Sequence, residues 1–251
     1  MTRDTTAPQR HAARAALYSA VAVPFLYPEE ERLDALRDEE AREGVRTAAE
    51  RMGLEGEADA LLEAVAEAST EAVESAYNAL LGVPDEGGTY PVVPYEAHYT
   101  TGAEVDKEQR RIATVVGLME AFGVEPGEDF AERQDHLAAE LELMQVVASQ
   151  RAVARHEDDA EAAGRLAEAE ATVLEEHLAG FVPSLAHDLR EALDDEGGDA
   201  EWDADEAGRA VYRAAVDLLE ALVERDRATH PDPVEVPTET DAAGAEVRNG
   251  V

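Results

Sequence analysis

The chain has 251 residues, 45% of them hydrophobic, enough to fill a sizeable core, so disorder throughout is excluded. It contains no cysteine, which removes disulfides, thiolate nucleophiles and cysteine-ligated zinc or iron–sulfur centres together. Its 58 acidic against 21 basic residues give a net charge of -37, and no window offers the basic stripe that nucleic-acid phosphates require.

A charge of that size repels itself in dilute buffer. At roughly 1 M salt the Debye length falls to about 3 Å and most of the repulsion is screened, so the composition reads as adaptation to concentrated salt. Lys107 as the only lysine agrees with this. Residues 1–9 have neither a basic stretch followed by an apolar core nor an Arg-Arg pair, and no run reaches membrane-spanning length. A cytoplasmic protein without stable membrane insertion is expected.

In chain order, residues 1–9 are expected to be a flexible extension. Ala13, Leu17, Ala20 and Val21 carry a helical stripe that Pro24 ends. Phe25, Leu26 and Tyr27 form an apolar knot before a second helix with acids in its first turn and Leu33 and Leu36 inside. A third spans Glu39 to Met52 and stops at Gly53. A long fourth runs from Glu57 to Leu81 with its stripe at Leu61, Val65, Val73, Tyr77 and Leu80.

From Gly82 to Asp106, prolines and glycines forbid a regular helix through most of the stretch, and a loop of that length is often functional. It holds Tyr90, Tyr95 and Tyr99. Helical spacing resumes at Ile112, Val115, Val116, Met119 and Phe122, and again at Leu137, Leu141, Met144 and Val147. A further helix carries Leu166 through Phe181, and Pro183 opens a short one through Leu193. Asp194 to Asp203 reads as an acidic loop, the last helix carries Val211 through Leu222, and residues 230–251 read as a disordered acidic tail. The expectation is an all-α, single globular bundle of about eight or nine helices over residues 10–229.

Chemistry is hard to place. No Glu-x-x-His pair for a di-iron bundle occurs, and Gly-x-Ser-x-Gly and phosphate-binding glycine loops are absent. Glu132, His136 and Glu140 fall four apart on one helical face and suit a metal ion, so a helical metal- or cofactor-holding protein is one alternative. Asp135 reads as a helix N-cap with His136 behind it. With no nucleophile and no nucleotide loop, catalysis is not expected, and no cofactor is assigned.

Five stretches in order resemble the TorD/DmsD/NarJ family of molybdoenzyme chaperones. They are Tyr77 to Gly82, Val93-Pro94-Tyr95-Glu96-Ala97-His98-Tyr99, Glu132-Arg133-Gln134-Asp135-His136-Leu137, Ala139 to Met144, and His177-Leu178 with Phe181-Val182-Pro183. The second and third are the specific ones. Val93, Ala97, Arg133 and Phe181 depart from the family's proline, serine, proline and tryptophan. The Ala-Glu-Leu-Glu-Leu-Met run looks more like the TorD and DmsD branches.

The resemblance implies a TorD-like helical chaperone, monomeric or dimeric. It would bind the twin-arginine signal peptide or the apo catalytic subunit of a molybdopterin oxidoreductase, of the dimethyl sulfoxide or trimethylamine N-oxide reductase type, before cofactor insertion and export. A nitrate-reductase-type assembly chaperone is the alternative. Carried over by position, the client-binding residues are Tyr77, Pro94, Tyr95, Glu96, Tyr99, Asp135, His136 and Glu140. In screening salt only close carboxylates discriminate arginine, so Glu96 and Asp135 are expected to contact the peptide's basic end, whereas acids of the 194–203 loop should not matter.

Overall fold

The computed structural model describes residues 6–82, 91–102, 104–125, 127, 130, 132–194 and 205–229. Tyr90, most of the acidic loop and the 230–251 tail lie outside these residues, as do positions 1–5 of the expected extension. Eleven α-helices are described: α1 Thr6–Ala22, α2 Glu30–Arg37, α3 Glu39–Met52, α4 Glu55–Glu67, α5 Thr70–Tyr77, α6 Glu96–Thr100, α7 Val105–Ala121, α8 Leu137–His156, α9 Ala160–Thr172, α10 Ala179–Asp194 and α11 Glu206–Arg227. No strand occurs among them, as an all-α bundle requires.

The boundaries follow local chemistry. Asp38 accepts a hydrogen bond from the Ala41 amide and starts α3, and Gly53 at φ +68° ends it, a conformation that costs glycine no Cβ clash. The expected single helix from Glu57 to Leu81 is two, because Ser69 leaves the helical conformation and caps α5 through the Ala72 amide. The apolar stripe survives the break: Leu61, Val65, Val73, Tyr77 and Leu80 are all buried. Helix α1 begins at Thr6, so residues 6–9 of the expected extension are its first turn.

Pro183 does not open a helix either. It lies inside α10, directly after a π-helical turn, Val173–Leu178, that joins α9 to α10.

In the centre α1 packs along α8 and α3, while α11 lies against α4, α5 and α10, and α9 covers α8. Leu17, Val21, Leu141, Met144, Phe181, Leu218 and Tyr212 fill the space between. Where α11 meets α5, a Cβ on Gly208 would stand inside the van der Waals shell of the Ala72 carbonyl. Gly208→Ala is expected to force these helices apart and cost about 1–3 kcal/mol, read from denaturant unfolding.

A buried ionic network crosses the core. The Arg14 guanidinium donates to Glu170 at 2.8 Å and to Asp226 at 2.8 Å, Tyr18 donates to Asp226 at 2.9 Å, and Arg151 also bonds Glu170. It fastens α1, α8, α9 and α11 to one another.

Candidate functional site

The two irregular segments singled out in the sequence meet. Tyr95 and His136 pair as an isolated antiparallel bridge. The Leu137 amide donates to the Pro94 carbonyl at 2.8 Å, and the Glu96 amide donates to the Asp135 carbonyl at 2.9 Å. These main-chain bonds make a clasp between the loop before α6 and the hinge before α8. Side chains reinforce it: the Tyr95 ring stands edge-on to His136, with centroids 5.4 Å apart, and the Tyr95 hydroxyl donates to Glu132.

Asp135 and His136 exchange the parts expected of them. His136 is the N-cap of α8, its Nδ1 accepting the Ala138 amide at 3.1 Å. Asp135 reaches back to α6, where Oδ2 accepts the Ala97 amide at 3.1 Å. The reversal arises because α6 begins at Tyr95, whose side chain caps nothing, leaving its amides to be satisfied from the hinge.

Glu96 and Asp135, expected as contacts for a guest arginine, are wholly buried and paired within the fold. A buried carboxylate needs a cation or donors of its own, and both have them. Asp135 is gripped by Arg133 through Nε at 2.9 Å and Nη2 at 2.7 Å, and Arg133 also reaches Glu108 at 2.6 Å and lies 4.7 Å from the Tyr95 ring centre. Glu96 takes Arg111 Nε at 2.6 Å on one oxygen and faces His177 Nδ1 at 3.0 Å on the other. Arg111, Arg133 and His177 were not among the expected site residues. Arg133 stood out only as a departure from the family pattern, and His177 only as part of the fifth stretch.

Glu140 is also buried, beneath the clasp, and burial followed by the nearby Glu96 and Asp135 pushes its carboxyl well above the usual range. Tyr99 turns away toward α10, where its hydroxyl donates to Asp188 at 3.1 Å and its ring stacks on Phe181. The eight expected residues therefore divide. Pro94, Tyr95, Glu96, Asp135 and His136 build the clasp, Glu140 lies under it, Tyr77 lies beside it, and Tyr99 braces α6 on another side.

Beside the clasp opens a cavity of about 250 Å³ lined by Phe25, Leu26, Tyr27, Tyr77, Phe130 and His136, with Glu29, Arg32 and Glu132 also on its walls. Tyr27 is 47% exposed and packs edge-on to Tyr77 at 5.6 Å. The apolar knot before α2 thus forms one wall, which the sequence did not assign to the site. His136 Nδ1 is occupied by an amide, so the neutral ring carries its hydrogen on Nε2, a buried donor with no partner in the fold.

Burial lowers His136 from 6.5 to about 4. Between these values the unfolded chain holds a proton that the fold does not, so acidification from pH 6.5 to 4 removes stability. Glu140 acts in the opposite sense, because its raised carboxyl favours the fold at low pH and loses that advantage as pH rises above the ordinary carboxylate value. His136→Asn keeps a capping oxygen. It is expected to remove the His136 part of the acid-side loss, on the order of 3 kcal/mol at pH 4, seen by comparing unfolding of parent and variant across pH.

The expected metal face of Glu132, His136 and Glu140 does not assemble. Glu132 serves Tyr95, His136 caps α8, and the group of close ligand atoms found among the described residues is Glu96, Glu140 and His177. No helix of the described residues is long and apolar enough to cross a membrane.

No curated protein matches the chain. The family model for the nitrate reductase delta subunit matches residues 34–187, which take in α3 to α6, the clasp, α8 and the π-turn. The match contains every residue of the clasp and most of the chain, so the chain belongs to the nitrate reductase delta subunit family, whose members are chaperones of molybdoenzyme assembly.

Proposed function

We propose that the chain is a cytoplasmic, non-catalytic chaperone that holds the twin-arginine signal peptide of a molybdopterin oxidoreductase in the cavity beside the clasp, keeping the apo enzyme for cofactor insertion before export. The observation that carries this reading is the aromatic cavity with carboxylates on its walls. A signal peptide brings an apolar segment for Phe25, Tyr27, Tyr77 and Phe130, and arginines for Glu29 and Glu132.

Glu96 and Asp135 act indirectly, by fixing the clasp that sets the position of His136. The client is of the dimethyl sulfoxide or trimethylamine N-oxide reductase type, a reading supported by the Ala139-to-Met144 run. The family's description favours a nitrate reductase client as the second reading.

Calorimetric titration in molar potassium chloride separates these readings. Signal peptides of each enzyme type are compared with versions in which both arginines are replaced by glutamine. Saturable binding of one type, weakened by the glutamine change, is the expected result. Equal heats from scrambled peptides would remove the proposal.

A further inference from the structure

Three segments that are distant in sequence aim ligand atoms at one point under the clasp. Glu96 comes from the start of α6, Glu140 from the first turn of α8 and His177 from the π-turn before α10. One carboxylate or imidazole atom of each lies within 4.8 Å of the other two. All three side chains are at most 1% exposed. Among the described residues, no group other than the Glu96 carboxyl bonds an oxygen of Glu140, and Nε2 of His177 has no hydrogen-bond partner.

We propose that Glu96, Glu140 and His177 form a buried site for one divalent transition-metal ion. Two carboxyl groups buried side by side call for a cation or a shared proton between them, and Glu140 lies against Glu96. Arg111 bonds one oxygen of Glu96, and the second shares a hydrogen bond with His177 Nδ1 at 3.0 Å, a contact that an ion between the two would replace. That spacing suits two ligands sharing an ion at about 2.0–2.2 Å from each. Two carboxylates and an imidazole, with no sulfur, fit zinc, manganese, iron or nickel better than copper(I) or an iron–sulfur cluster.

The π-turn adds an independent reason. It turns His177 inward toward Glu96, and such bulges are frequent at ligand sites. Glu96 is also the residue whose amide closes the clasp on Asp135, so an ion here would tie α8 and the π-turn to the clasp from below. This site faces the interior, apart from the aromatic cavity, and it stands whether or not a signal peptide is the guest.

The test uses the full chain, stripped with chelator and returned to molar potassium chloride, titrated with cobalt(II) and then competed with zinc(II). The expected result is one tightly held equivalent per chain, with visible absorption of cobalt in a nitrogen–oxygen site and a raised Tm. Glu140→Gln and His177→Gln should lose the absorption band and the Tm rise, whereas the exposed control Glu161→Gln should keep both. Circular dichroism and the metal-free Tm establish that the variants fold, and the parent titration decides the matter even if they do not. Absence of a saturable equivalent in the parent would overturn the site. So would uptake of several weak equivalents that Glu140→Gln leaves unchanged, as expected of a proton-occupied carboxyl pair with adventitious metal on an acidic surface.

Discussion

Arg14→Met is expected to cost the fold about 3–5 kcal/mol and to lower Tm by roughly 6–20 °C. Arg14 is 2% exposed and supplies the cation for Asp226, which is 1% exposed. It binds Asp226 through Nε at 2.6 Å as well as through Nη2. Methionine fills a similar volume, so the loss comes from stranding Asp226 with only the Tyr18 hydroxyl, while Glu170 keeps Arg151. Arg14→Met combined with Asp226→Leu is expected to recover most of it, because removing both charges leaves nothing unpaired. Buried charges are weakly screened, so the penalty should persist in high salt, unlike that of exposed pairs such as Arg165 with Glu161. A loss below about 1 kcal/mol for the single change would mean that Asp226 finds water or another donor.

The second large effect concerns the guest. Tyr27→Ala is expected to weaken signal-peptide binding about tenfold to thirtyfold, or about 1.4–2 kcal/mol, while changing stability by less than about 1 kcal/mol. Tyr27 is a half-exposed aromatic wall of the cavity whose hydroxyl bonds half-buried Glu74 at 2.5 Å, so its removal leaves no hole in the core. Asp135→Ala should behave differently, losing stability and binding together, because the carboxylate that caps α6 and anchors Arg133 is gone. Calorimetry for affinity and thermal melts for stability distinguish the two patterns. A Tyr27→Ala chain that binds as the parent does would move the guest away from this cavity.

The helical character was legible because capping and periodicity agreed with packing. Asp38 and Gly53 bracket α3, and the stripe of α1 is the stripe that is buried. The break at Ser69 was hidden, since Leu61, Val65, Val73 and Tyr77 keep helical phase across it and a serine is compatible with either state. Pro183 misled for the opposite reason: a residue that usually starts or stops a helix lies here in the second turn of α10, where the first turn already supplies the start.

Convergence of the Tyr95 and His136 segments was foreseen from motif order, but the roles of their carboxylates were not. In a chain with 58 acids, motif position marks Glu96 and Asp135, but composition and spacing do not tell a buried acid from a solvated one. Glu96 is paired by Arg111 arriving from α7, and Asp135 by Arg133 two residues earlier in the hinge, a pairing that an acidic helix start does not announce. Tyr27 escaped notice because an apolar knot next to a proline reads equally as core and as wall.

The clasp is closed by main-chain groups, so it carries its own gauge. The amides of Glu96 and Leu137 are remote in sequence, yet each is held by a carbonyl on the opposite segment. Hydrogen exchange at both should proceed at one common rate, that of the two segments parting, and a bound guest should slow the pair in step.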